Sequence, residues 1–333
     1  MFVASYTPSV KSQVQDVIQL LKQSKSSLLI GIWGMIGIGK STIAQSIYDQ
    51  VGPYFEHKCF LGNIRGAWGK DFNGQVSLQR KLIFNIYGQE IKIPIYSIKS
   101  GCVILKQRLQ HKRVFLILDD VDKLEQLKAL CGNLDWFGPG SKIIITTRDR
   151  HLLKEHGVSN IYPVKELDKS ESVDILNWGA FNQATSPPKD FVELSRQLVS
   201  YRGGLPLALE ALGRFLHGKE ILKWKYVLNS LQRFFIPAPT LLEDLEDSLS
   251  GLSDEEKHIF FEIACFFDRM NQNDVLQTLN RSTQFAALQR SLLEDKSILT
   301  IDENNNLEMH VLLQAMARDI IRRESRYKTD HVS

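Results

Sequence analysis

Apolar positions along the chain follow two regimes that meet near residue 164. In the first, short continuous apolar runs alternate with stretches of helical period. Ser27–Val51 opens with a run of strand length, LLIGIW. It continues through a glycine-rich turn into a segment whose Ile43, Ala44, Ile47 and Val51 share one helical face. His57–Ile64 (HKCFLGNI) is a second strand candidate. Arg113–Asp122 carries five consecutive apolar residues, Val114–Leu118, as a strand buried on both faces does. Ser141–Arg148 (SKIIITTR) follows the turn Gly138-Pro139-Gly140. Helical spacing appears at Val10–Leu21 (Val10, Val14, Val17, Ile18, Leu21), Leu78–Tyr87 and Ile104–Leu109, while Ile91–Ile98 is ambiguous. Gly52-Pro53 ends the helix after the glycine-rich turn. Strand and helix alternating from Leu28 to Val164 predict one parallel sheet with right-handed crossovers.

Beyond Val164 the strand pattern stops. Ser170–Asn182 and Asp190–Tyr201 read as helices around the polar loop Thr185–Lys189. Another helix runs to Leu216, with Pro206 near its start, where a missing N–H costs nothing. Phe234–Thr240 (FFIPAPT) reads as a linker. Lys257–Phe267 is apolar almost all the way round, the pattern of a buried core helix. Ser297–Ile301 and Leu307–Met309 form a hairpin pattern around Asp302–Asn306, and Leu312–Arg323 is a terminal helix whose arginines suit a solvated face.

Composition narrows the classes. The 333 residues suit two or three compact domains, and 43% hydrophobic with 24% charged residues is ordinary globular usage. A net charge of +3 is too small to be an electrostatic footprint for nucleic acid, so no direct nucleic-acid partner is expected. No apolar run approaches the ~18 residues of a membrane span. The first residues lack a charged-then-apolar secretory pattern. Cys59, Cys102, Cys131 and Cys265 are scattered without C-x-x-C spacing. They read as reduced thiols in cytosol or nucleus rather than a zinc site.

The chemistry concentrates at three strand ends. Gly34–Ser41 fits G-x-x-x-x-G-K-[ST], the phosphate-binding loop. Gly34, Gly37 and Gly39 let successive N–H groups point at a β-phosphate, Lys40 reaches the β- and γ-phosphates, and the Ser41 hydroxyl suits Mg²⁺. The expected nucleotide contacts are thus Gly34, Gly37, Ile38, Gly39, Lys40, Ser41 and Thr42, over the positive end of the following helix. Asp119 and Asp120 close the second buried strand, in the crevice where open α/β sheets bind ligands. Asp119 can hold Mg²⁺ directly or through water, and Asp120 can orient or deprotonate a water. Arg148, at the third strand end, suits a γ-phosphate sensor or a solvent-facing ion pair.

These motifs, in this order, resemble the NB-ARC region of plant intracellular immune receptors, within the signal-transduction ATPases that include the apoptosome ATPase. The matching segments are GMIGIGKST (34–42), CFLGNIR (59–65), RVFLILDDVD (113–122), GSKIIITTRD (140–149), GGLPLALEALG (203–213), IFFEIACFF (259–267) and MHVLLQAMARDIIR (309–322). Asp122, where other receptors of the group carry tryptophan, resembles the subclass with an upstream Toll/interleukin-receptor domain, and WFGPGSKIIITTRDRHLL is similar to legume members.

The resemblance implies an α/β P-loop NTPase domain followed by a helical bundle and a winged-helix domain. The expected boundaries are an N-terminal helix at 1–26, then 27–164, 165–236 and 237–333. It implies a switch holding ADP at rest and ATP when active, with Mg²⁺, slow hydrolysis at most, and self-association on activation. The other receptor domains, Toll/interleukin-receptor and leucine-rich repeat, lie outside this chain. By position Pro206 matches the proline near base and ribose, His310 the histidine contacting the ADP β-phosphate, and Arg148 the sensor. Three positions depart from the family: Ile36 replaces a glycine, the Val-Gly expected near Ser9-Val10 is missing, and Val311 replaces the aspartate after His310. A turnover ATPase and a truncated, non-hydrolysing adaptor pairing with full-length receptors are the competing expectations.

Overall fold

The computed structural model describes residues 7–24, 26–69, 72–88, 95–181, 187–200, 204–233, 246, 249, 252–267, 269–279 and 286–330. Side chains are described throughout these except at 72, 73, 230–233, 286–289, 292, 311 and 324–330. The linker expected at Phe234–Thr240 lies outside them, as do parts of the stretches expected as loop at Thr185–Lys189 and left ambiguous at Ile91–Ile98. The chain forms two compact units. One comprises Met1–Gly34 with Gly39–Lys165, the other Met35–Ile38 with Glu166–Ser333.

The first unit is a five-stranded parallel sheet in the order β2-β3-β4-β1-β5. Its strands are β1 (Leu28–Trp33), β2 (His57–Leu61), β3 (Val114–Val121), β4 (Lys142–Thr147) and β5 (Asn160–Pro163). β1 lies between β4 and β5, with Ile30 opposite Ile144 on one side and Asn160 on the other. The apolar runs explain this placement. Phe115–Leu118 and Ile143–Ile145 are fully buried, as strands covered on both faces must be. The covering helices are α1 (Pro8–Gln23), α2 (Lys40–Val51), α3 (Ile64–Trp68), α4 (Phe72–Tyr87), α5 (Ile98–Leu109), α6 (Leu124–Leu130) and α7 (Arg150–Glu155). In α1 the Thr7 side chain accepts from Val10 N, and the stripe Val10, Val14, Val17, Ile18 and Leu21 is buried. In α2 Ile43, Ala44 and Ile47 are fully buried, each isoleucine contributing about 1.5–3 kcal/mol of transfer energy. Buried Gln13 pairs with both backbone groups of Lys165, fastening α1 to the end of this unit.

Four elements differ from the sequence expectation. The second strand stops at Leu61, and Ile64, expected inside it, begins α3. There Asn63 takes a left-handed φ of 51° and caps the helix. β3 continues past the two acids to Val121 instead of ending with them, with a register break between Leu118 and Val121. α4 and α5 start earlier than their apolar spacing showed; a reciprocal Ser97/Ser100 cap sets the start of α5.

The second unit is helical. α8 (Lys169–Phe181), α9 (Lys189–Ser200) and α11 (Ile221–Arg233) meet at Phe181, Phe191 and fully buried Trp224, whose rings lie 5.0–5.5 Å apart, while α10 (Pro206–Leu216) packs against α8. A helix at Asp254–Glu262 passes into a π-helical turn, Ile263–Phe267. The buried helix expected over Lys257–Phe267 is therefore corrected at its end. The wider turn rotates Phe266 outward, 74% exposed, while Ile259, Phe260, Ile263 and Ala264 stay buried. Helices at Gln272–Leu279 and Ala286–Asp295, the two-residue strands Thr300–Ile301 and Leu307–Glu308, and a helix at Val311–Asp330 complete it.

Candidate functional site

The carboxyl ends of β1, β3 and β4 place the charged residues of the first unit together. After β1 the chain turns through Gly34–Gly39 into α2. Gly39 caps that helix at φ 106°, a left-handed conformation that side chains resist. Lys40, the first residue of α2, is 8% exposed, and its Nζ donates to Gly34 O at 2.7 Å. Burial lowers its pKa to about 7. Nearby Arg148 acts in the same direction, Asp120 and Asp119 oppose it, and Arg65 lowers it further.

Ser41 and Asp119 meet directly: Ser41 Oγ donates to Asp119 Oδ1 at 2.7 Å. Thr146 Oγ1, fully buried on β4, donates to the same oxygen at 2.6 Å and accepts from Asp120 N at 2.9 Å. Thr146 therefore ties both acids to β4 across the irregularity in β3. Asp120 itself takes φ 58°. Its Oδ2 lies 3.3 Å from Arg65 Nε and its Oδ1 3.8 Å from Arg148 Nε. Arg148 O accepts from Trp33 Nε1 at 3.1 Å, which fixes the chain after β4 against the end of β1.

The oxygens of Ser41 and Asp119 form a hard, oxygen-only donor pair, suited to Mg²⁺, which keeps several waters and takes few protein ligands. Among the described residues there is no cluster of three or more His, Cys, Asp or Glu able to hold a metal alone. Any divalent ion here must share its coordination with water and phosphate oxygens.

The sequence-expected residues thus divide between the units. Gly34, Gly39, Lys40, Ser41, Thr42, Asp119, Asp120 and Arg148 lie in the first, where the acids, lysine, serine and arginine converge. Thr42 O accepts from Ser46 Oγ within α2. Gly37 and buried Ile38 belong to the second unit, where Gly37 O accepts from Leu207 N at 3.3 Å. Pro206, also in the second unit, is the buried first residue of α10. There His310 Nε2 lies 3.9 Å from Glu166 Oε1, and its Nδ1 accepts from Leu312 N. The Val311 side chain is outside the described ones. Sequence reasoning gave no role to Thr146 or Arg65. Thr146 was visible only as a strand-end residue. Arg65 is hidden in sequence because the apolar spacing runs the strand on to Ile64, where the structure starts α3. Asp122 and Gln126 make a local cap, Gln126 Nε2 donating to Asp122 Oδ1 at 2.6 Å at the start of α6.

The family model described as the NB-ARC domain matches residues 10–186. One described as "Disease resistance protein Roq1-like, winged-helix domain" matches residues 253–325. Disease resistance protein RUN1 of Vitis rotundifolia is 37% identical over 314 residues, covering 94% of this chain and 23% of the relative. Disease resistance protein RPP4 of Arabidopsis thaliana is 34% identical over 93% of this chain and 26% of its own length. TMV resistance protein N of Nicotiana glutinosa is 34% identical over 88% and 25%. The chain spans about a quarter of the length of these relatives. A Walker-type ATPase of Pyrococcus abyssi superposes over 92% of this chain and 95% of its own with a TM-score of 0.59 at 13% identity, a likeness of fold alone. Among the described residues no helix is long and apolar enough to cross a membrane.

Proposed function

Since this chain belongs to the NB-ARC family, we propose that it is the nucleotide-operated switch of a plant disease-resistance receptor, holding ADP at rest and ATP when active. The observation that carries this reading is the meeting of Lys40, Ser41 and Asp119 at the ends of β1 and β3. On this reading the loop N–H groups of Gly34 to Thr42, Ile38 included, and the start of α2 bind the phosphates. Lys40 moves its ammonium from Gly34 O to a phosphate oxygen. Ser41 and Asp119 would hold Mg²⁺, which would supply positive charge to neutralise the phosphates.

Arg148 reads the terminal phosphate. Asp120 orients the attacking water. Hydrolysis is slow at most, because Asp120 can serve a water only after its two arginine partners have turned away from it. The switch works by population: ATP and ADP shift the balance of states only by their differential affinity for each. The setting is cytosol or nucleus, with receptor domains outside this chain as partners and self-association on activation.

The test is to extract and identify the nucleotide carried by gently purified protein, then titrate ADP and ATP calorimetrically with Mg²⁺. ADP retained at near-equimolar level is expected. Lys40→Ala should weaken binding at least about tenfold, from a charge-assisted contact of ~1.5–3 kcal/mol. Absence of binding, or equal affinity in the variant, overturns the reading.

A further inference from the structure

The Asp120 carboxylate is held by guanidinium groups from two different elements, Arg65 of α3 on one oxygen and Arg148 after β4 on the other. Two left-handed residues build this contact. Asp120 at φ 58° is kept by its N–H on Thr146 Oγ1. Asn63 at φ 51° caps α3 through Gly66 N at 3.2 Å and so sets where Arg65 starts. The three side chains are only 20–29% exposed. Arg65 also lies close enough to the Lys40 ammonium for its charge to be felt there, as do Arg148 and both acids. The ion pair with Asp120 thus sets its guanidinium at the carboxyl end of β3, the strand end that also carries Asp119.

We infer that Arg65 is a second guanidinium for the terminal phosphate of a nucleoside triphosphate, and that the Asp120 carboxylate stands in for that phosphate when a diphosphate is bound. The inference rests on the nucleotide-switch reading. A terminal phosphate carries up to about two negative charges and three acceptor oxygens, against one charge and two oxygens on a carboxylate. Guanidinium forks match phosphate geometry well, so both arginines exchange partner when the triphosphate enters. Asp120 then sets the preference between the two nucleotides: the stronger its hold on the arginines, the less the triphosphate gains by displacing it.

The experiment measures, on the full chain with Mg²⁺, the Kd of ADP and of the β,γ-imido analogue of ATP. Arg65→Gln should raise the Kd of the triphosphate analogue about tenfold, the scale of one charge-assisted contact, while changing that of ADP less than about twofold. Arg65→Lys should fall between. Asp120→Asn, which removes the negative charge both arginines face, should shift the ratio about three- to tenfold toward the triphosphate. Should Arg65→Gln fail to fold by circular dichroism, the ratios of the other two variants decide. Equal changes for both nucleotides, or ratios unchanged from the parent, overturn the inference while leaving the switch reading intact. A parent chain that binds neither nucleotide overturns both.

Discussion

Lys40 carries a pH signature. Its pKa is lowered from 10.5 to about 7 by burial, so between those values the unfolded chain binds the proton that the empty folded chain lacks. Stability from this group therefore rises with pH across that window and is lost as pH falls toward 7. A bound polyphosphate restores the charge and must draw a proton from solution. Calorimetry of ADP binding at pH 8.5, in buffers of different ionisation enthalpy, should show proton uptake. Lys40→Arg, charged throughout, should abolish it. An uptake that persists in the arginine variant would place the titrating group elsewhere. Asp119 offers a second test. Its Oδ1 accepts from Ser41 and Thr146, bonds that an amide oxygen can keep, so Asp119→Asn removes the charge with little loss of geometry. It should flatten the Mg²⁺ dependence of ATP affinity and leave Mg²⁺-free ADP binding nearly unchanged.

At the scale of elements, α3 is a single short helix that depends on its cap. A Cβ on Gly66 would stand 2.7 Å from Asn63 Oδ1, so Gly66→Ala must push the capping side chain away. Losing such a cap costs roughly 0.5–2 kcal/mol, seen as a lower Tm, and should release Arg65 from Asp120. β1, β3 and β4 were legible because each is a continuous apolar run ending in a residue of distinct chemistry, and the phosphate loop announces itself by spacing alone. The irregularity in β3 was not legible. Asp119 and Asp120 look like a strand terminus in sequence, and only Thr146, reaching across from β4, shows why the strand continues past them. The π-helical turn was hidden for a related reason: Phe266 and Phe267 carry the hydrophobicity of a core helix, and nothing local records the extra residue per turn that exposes Phe266.

For the whole molecule, ligand binding and stability are one measurement. A nucleotide at about a hundred times its Kd adds ~2.7 kcal/mol to the state that binds it, so ADP should raise Tm by several degrees and fail to do so in Lys40→Ala. Val311→Asp restores the acid that the family resemblance leads one to expect after His310, and should slow ADP release in a fluorescent-ADP chase. Faster release would show that an acid at this position does not help to hold ADP. The strand order has a further consequence, in time rather than space. β1 leaves the ribosome first, yet its neighbours are Lys142–Thr147 and Asn160–Pro163. At roughly 5–20 residues per second the apolar strand that carries the phosphate loop waits on the order of ten seconds for a partner. β2 and β3 can pair with each other before β4 exists, whereas β1 has no strand beside it until β4 has been made. The phosphate loop is therefore made early and seated late, for its strand gains a neighbour only after more than a hundred further residues have followed it.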